Sequence, residues 1–127
     1  MKGIQAYQQS SVQTSPSKLL LMLFDGFIRF CKQGQLMMKE NRLDQANHWI
    51  VKAQNILVEL MTTLNRKVAP ELCENLYALY DFMYRHLVEA NIKKDPSMID
   101  DVIKLGTELR DTFQQASIQV AKEKSNK

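Results

Sequence analysis

The sequence predicts an all-α protein: an antiparallel up-and-down four-helix bundle with a short N-terminal arm and a frayed C-terminal tail. Three observations carry that prediction. Only four glycines and three prolines occur in 127 residues, too few for the many turns of a β-fold. Each proline stands where a helix would begin. Between these starts, apolar residues recur at alternating steps of three and four, the spacing of a helix with one buried face.

Ser15-Pro16 reads as an N-cap followed by proline at the first helical position, where a missing N–H costs nothing. The first helix is expected over about residues 16–39. Its opening half, Leu19 to Phe24 with Phe27, Ile28 and Phe30, is apolar on nearly every side. Such a helix has to be covered on more than one face, by neighbouring helices, by the arm or by a partner. Polar Asn41-Arg42 ends that pattern. A second helix over about 43–65 then offers Leu43, Ala46, Ile50, Ala53, Leu57, Leu60 and Leu64 as its seam.

Pro70 opens a third helix, about 70–92, although Ala69 before it is a poor cap. Its seam is expected to be Leu72, Leu76, Leu79, Met83, Leu87 and Ala90. Asp95-Pro96 repeats the cap-and-proline signature, with a negative charge at the positive end of the helix dipole. The fourth helix runs to Ala116 or beyond, with Met98, Val102, Leu105, Leu109, Phe113, Ala116 and Val120 facing inward. Helices of about 30–36 Å joined by a few residues have to run antiparallel to their neighbours. The whole chain, 1–127, is expected to form one helical domain, with the arm at 1–15 and a polar tail at 119–127.

Composition narrows the function. Seventeen basic residues against 14 acidic ones leave a net charge of +3, too mild to imply nucleic acid, and no arginine-rich or aromatic RNA-binding signature adds to it. The basic tail Lys122, Lys124 and Lys127 is interrupted by Glu123 and reads as a solvated terminus. The apolar run Leu19 to Phe24 is too short to span a bilayer and meets Asp25. The N-terminus has no apolar signal-peptide core. A cytosolic location without stable membrane insertion is therefore expected. Cys31 and Cys73, both among apolar neighbours, read as reduced, buried thiols.

Helical bundles can house metals, but the di-metal pattern needs Glu-x-x-His on two helices. Gln45 precedes His48 at that spacing and Met83 precedes His86, so neither supplies the carboxylate. Haem, zinc and phosphate-loop motifs are missing. Asp25 with Arg29, and Asp81 with Arg85, read as surface ion pairs at i,i+4. Nothing assembles a nucleophile, a base and an oxyanion site, so no enzyme activity, cofactor or metal is expected. The third helix does carry an aromatic surplus in Tyr77, Tyr80, Phe82 and Tyr84. Tyr77, Tyr80 and Tyr84 share a stripe offset from the expected seam. Two readings stay open: tyrosines bordering the core with wet hydroxyls, or a protein-binding face.

Several segments resemble a known family. Ala6-Tyr7-Gln8, Ser11 to Pro16 and Leu20-Leu21-Met22-Leu23-Phe24-Asp25-Gly26 are similar to the opening of the flagellar secretion chaperone family, FliS. Lys52 to Leu57 and Glu74 to Met83 resemble its second and third helices, and Ala90-Asn91-Ile92 with Leu109 to Thr112 complete the pattern. The resemblance runs from Ala6 to about Gln115. Two departures are Arg66-Lys67-Val68-Ala69, where many relatives carry glycines, and Phe113, where a tryptophan is frequent.

The resemblance implies a cytosolic chaperone that binds the C-terminal segment of flagellin along apolar grooves. It would keep that segment from polymerising and aid its delivery to the flagellar export gate. Carried over by motif, the flagellin-binding residues are Tyr7, Gln54, Leu57, Asn75, Leu76, Leu79 and Tyr80. Within this set Leu79 is expected on the bundle seam and Tyr80 on the exposed stripe. Tyr7 is expected to cover part of the groove until the client arrives. The alternative is a self-assembling helical scaffold or adaptor that pairs through the Tyr77–Tyr84 face.

Overall fold

The computed structural model describes residues 15–125 as four helices: α1 (Pro16–Lys39), α2 (Leu43–Thr62), α3 (Pro70–Lys93) and α4 (Pro96–Ser125). The proline-marked starts fall where the caps place them. The Ser15 hydroxyl accepts the Lys18 N–H at 3.2 Å, and the Asp95 carboxylate accepts both the N–H and the hydroxyl of Ser97, at 3.0 and 2.6 Å. Those bonds from Ser97 hold the Asp95 carboxyl below its ordinary range. A depressed carboxyl pKa contributes stability above the ordinary carboxylate range and loses it as pH falls through the folded value. α3 has no side-chain cap and begins on Pro70, with Glu71 in its first turn.

The stops have equally local causes. α1 ends where Asn41 takes a left-handed conformation, φ 59°. There the Arg42 N–H reaches the Met37 carbonyl at 2.8 Å and the Asn41 N–H reaches that of Met38 at 3.0 Å. These are the paired bonds of a Schellman motif, with asparagine in place of the usual glycine. α2 stops at Thr62 and not at residue 65, as the spacing predicts. The Thr63 hydroxyl donates to the Leu60 carbonyl at 2.6 Å. The Asn65 side chain then accepts the Lys67 N–H, turning the chain toward α3. α4 continues as helix to Ser125, through much of the segment read as a tail.

α1 and α3 each pack against α2 and α4, which closes an antiparallel up-and-down four-helix bundle. Its interior holds Phe24, Phe27, Cys31, Ile50, Leu57, Leu60, Tyr80, Met83, Leu87, Ile99 and Val102. α4 approaches α1 closely at Gly106, where a Cβ would stand 3.1 Å from the Phe27 ring. Polar contacts tie the register of neighbouring helices. Gln35 donates to the Pro96 carbonyl and to Asp100, at 2.8 and 2.6 Å. Asn91 donates to Asn47 at 2.7 Å, and His86 lies 3.1 Å from Asp101.

Three sequence expectations are corrected by this packing. Asp25 pairs with Arg110 of α4 at 2.8 Å, and Arg29 lies over the Phe30 ring, 5.3 Å from its centre. Asp81 and Arg85 do pair, at 3.1 Å.

The second correction is a rotation of α3. Tyr80 is 1% exposed and Leu72 is 55% exposed, while Leu79 is half-buried. The inward stripe is thus Cys73, Leu76, Tyr80, Met83, Leu87 and Ala90. Adjacent helical residues point about 100° apart, so turning Tyr80 inward swings Leu79 toward the edge. A large ring fills more of the space facing α1, where Tyr80 meets Phe24 at a centroid distance of 6.4 Å. In α4 the inward residues are Ile99, Val102 and Gly106, with Met98, Leu105, Leu109 and Phe113 at the margins. Ala116 and Val120, expected to face inward, are exposed.

Candidate functional site: apolar grooves on the bundle surface

The surplus apolar side chains of α1 do not all enter the core. Leu20 and Met22, two residues apart and so on different faces, open onto two separate grooves.

The first groove, of about 230 Å³, lies between α1 and α2 and is lined by Met22, Leu23 and Phe30 from one side and Ile56 from the other. Gly26 admits Ile56: a Cβ on this residue would stand 3.3 Å from Ile56 Cδ1. Phe30 and Trp49 lie 5.6 Å apart, and Lys52 Nζ sits 5.1 Å from each ring centre. Arg29, Asn55 and Glu59 complete the lining with polar groups.

The second groove, of about 210 Å³, is at the bundle end where α1 and α3 begin. Leu20, Leu64, Val68, Leu72, Leu76, Tyr80 and Phe113 line it. Val68, in the α2–α3 connection, is 79% exposed and with the exposed Leu72 extends the apolar surface of this groove. Phe113 stacks on Phe24 at 5.4 Å and so forms the α4 wall. The α2–α3 face adds Val51 and Val58 from α2 and Tyr77 and Val88 from α3, all exposed. The Asn47–Asn91 bond sets the register of that face.

Of the residues predicted for the site, Leu76 and Tyr80 come together in the bundle-end groove. Gln54 is buried with 9% exposure, and Leu57 lies wholly in the core. Asn75 is exposed. Leu79, two helical turns before His86, shares the flank of α3 that faces α4. Tyr7 lies outside the described residues.

Sequence reasoning missed Leu20, Met22, Phe30, Val68 and Leu72 as groove residues. The signal was present for α1, whose apolar excess required cover from somewhere. For Val68 there was none, because a lone valine in a loop has no periodicity to read.

Burial pushes the Tyr80 hydroxyl up to about 12, with the nearby Cys73 adding to the effect, and burial also raises the Cys31 thiol. Both cysteines are free and buried, so neither has the exposed setting of a reactive thiol. Among the described residues, no three of His, Cys, Asp and Glu gather where they could hold a metal. No helix among them is long and apolar enough to cross a membrane. What the surface of the described residues offers is exposed apolar area framed by scattered charges, a chemistry of adhesion.

Fold and grooves together define a helical-bundle docking protein. The chain belongs to the FliS family: the family model described as flagellar protein FliS matches residues 1–120. The flagellar secretion chaperone FliS of Bacillus subtilis is 43% identical over 112 residues, covering 87% of this chain and 83% of its own length. That of Vibrio cholerae is 34% identical, covering 91% of this chain and 89% of its own. A bacterial flagellar chaperone of known crystal structure shares the fold, with a TM-score of 0.77 at 22% identity over 94% of this chain and 98% of that one.

Proposed function

We propose that this protein is a cytosolic flagellar secretion chaperone that holds the C-terminal segment of flagellin and delivers it to the export gate. The observation that carries the proposal is the pair of open apolar grooves on a bundle whose core is already filled. The names of its relatives support the flagellar role. A disordered client segment suits such a surface, because it can wrap around the bundle and meets its ordering cost only on binding. No catalytic role is proposed. Self-assembly through the Tyr77–Tyr84 face is the weaker reading, since Tyr80, the middle of that stripe, is turned into the core.

Calorimetric titration with full-length flagellin should show a roughly one-to-one complex and a clearly negative heat-capacity change from apolar burial. Flagellin lacking its C-terminal segment should not bind. Equal binding of both forms would count decisively against the proposal.

The arm belongs to the same reading. It joins the bundle at Ser15, about 7.5 Å along the helix axis from Leu20 of the bundle-end groove. Tyr7 is proposed to cover apolar groove surface in the client-free protein. Deleting residues 1–10 should then tighten flagellin binding by up to about tenfold, as the client no longer displaces the cover. Weaker binding after the deletion would instead make the arm part of the client site.

A further inference from the structure

We infer that the α1–α2 groove selects charge as well as shape: it takes an apolar side chain carried within one helical turn of a lysine or arginine, whose cation Glu59 receives. This rests on the client reading above and names the chemistry that one groove demands.

Glu59 lines the groove one turn beyond Asn55 and Ile56. Its Oε2 is buried and accepts no hydrogen bond among the described residues. Buried carboxylate oxygens are ordinarily paired, because losing water without gaining a partner is costly. Two cations stand near the groove, and neither pairs with Glu59. Arg29 lies against the Phe30 ring at 5.3 Å, and Lys52 sits 5.1 Å from the Phe30 and Trp49 ring centres.

The remainder of the lining, Met22, Leu23, Phe30 and Ile56, is apolar. An occupant without a hydrogen-bond donor would seal Oε2 under a dry lid with no partner, a neutral donor would satisfy it more weakly than a cation, and an acidic occupant would be repelled. A segment with a basic residue beside its apolar anchor fills the slot and gives Glu59 a charge-assisted hydrogen bond. The unpartnered Oε2 thus works against the wrong occupant as much as for the right one.

The test is calorimetric titration of the full-length protein and its Glu59→Gln variant with a synthetic peptide of the flagellin C-terminal segment. A peptide series replaces each lysine and arginine by glutamine in turn. Glu59→Gln should weaken binding about tenfold, the usual worth of a hydrogen bond to a charged group. One peptide substitution should cause a similar loss in the wild-type protein and little further loss in the variant. The free variant should unfold at or above the wild-type midpoint, because the buried oxygen it replaces has no hydrogen-bond partner among the described residues.

Peptide affinity unchanged within twofold in Glu59→Gln would overturn the inference and leave the client reading standing. A midpoint several degrees lower would also overturn it, by assigning Glu59 to the fold. Failure of the peptide to bind the wild-type protein would overturn both readings.

Discussion

Tyr80→Ala is expected to destabilise the protein by about 3–5 kcal/mol, the usual cost of truncating a fully buried aromatic side chain. For a chain of this size that is a fall in midpoint of about 10–20 °C. Tyr80 is 1% exposed and packs near Phe24 at a centroid distance of 6.4 Å, so its removal leaves a cavity bordered by a rigid ring. Leu79→Ala, one residue earlier, should cost about 1 kcal/mol, since the half-buried side chain gives up only part of its burial energy. Urea unfolding of the two variants measures the difference directly. Equal losses, or a larger loss at Leu79, would show that α3 is rotated from the orientation described. The comparison also separates fold from function, because binding lost in Tyr80→Ala cannot be assigned to a contact with the client.

A clean probe of the groove lies two turns away. Leu72→Glu should weaken flagellin binding by about a hundredfold, because it removes an apolar contact worth about 1.5–3 kcal/mol and forces a carboxylate toward an apolar client. The same substitution should leave stability within about 0.5 kcal/mol, as befits an exposed position. Leu72 is 55% exposed and is the third residue of α3, where a negative charge meets the positive end of the helix dipole. Calorimetric titration gives the affinity, and thermal unfolding checks the fold. Retained affinity in a folded Leu72→Glu protein would remove the bundle-end groove from the client site.

The sequence alone determined where the helices begin, and the reason is local. A serine or aspartate cap followed by proline specifies a helix start through two or three adjacent residues, and Ser15-Pro16 and Asp95-Pro96 behave in that way. The break at Asn41 was legible because polar Asn41-Arg42 interrupts the apolar pattern, and the structure adds that asparagine takes the left-handed conformation that closes α1. The up-and-down order followed from short connections. The apolar excess of α1 required a second cover, and the structure divides that excess between two grooves.

The tertiary structure alone decided how each helix is turned about its axis. In α3, Leu72-Leu76-Leu79-Met83 and Cys73-Leu76-Tyr80-Met83 satisfy the same spacing of three and four, so periodicity cannot choose between them. The choice falls to volume: the space facing Phe24 accepts the Tyr80 ring, and Leu79 is left at the margin. In α4 the close approach of Gly106 to Phe27 settles the matter, since only a residue without a side chain fits that contact unstrained. Charge pairing was decided at the same level. Asp25 has a candidate partner one turn away in Arg29, yet it meets Arg110, 85 residues distant in sequence. The helices' mutual packing brings that guanidinium within 2.8 Å, a juxtaposition that no local spacing encodes.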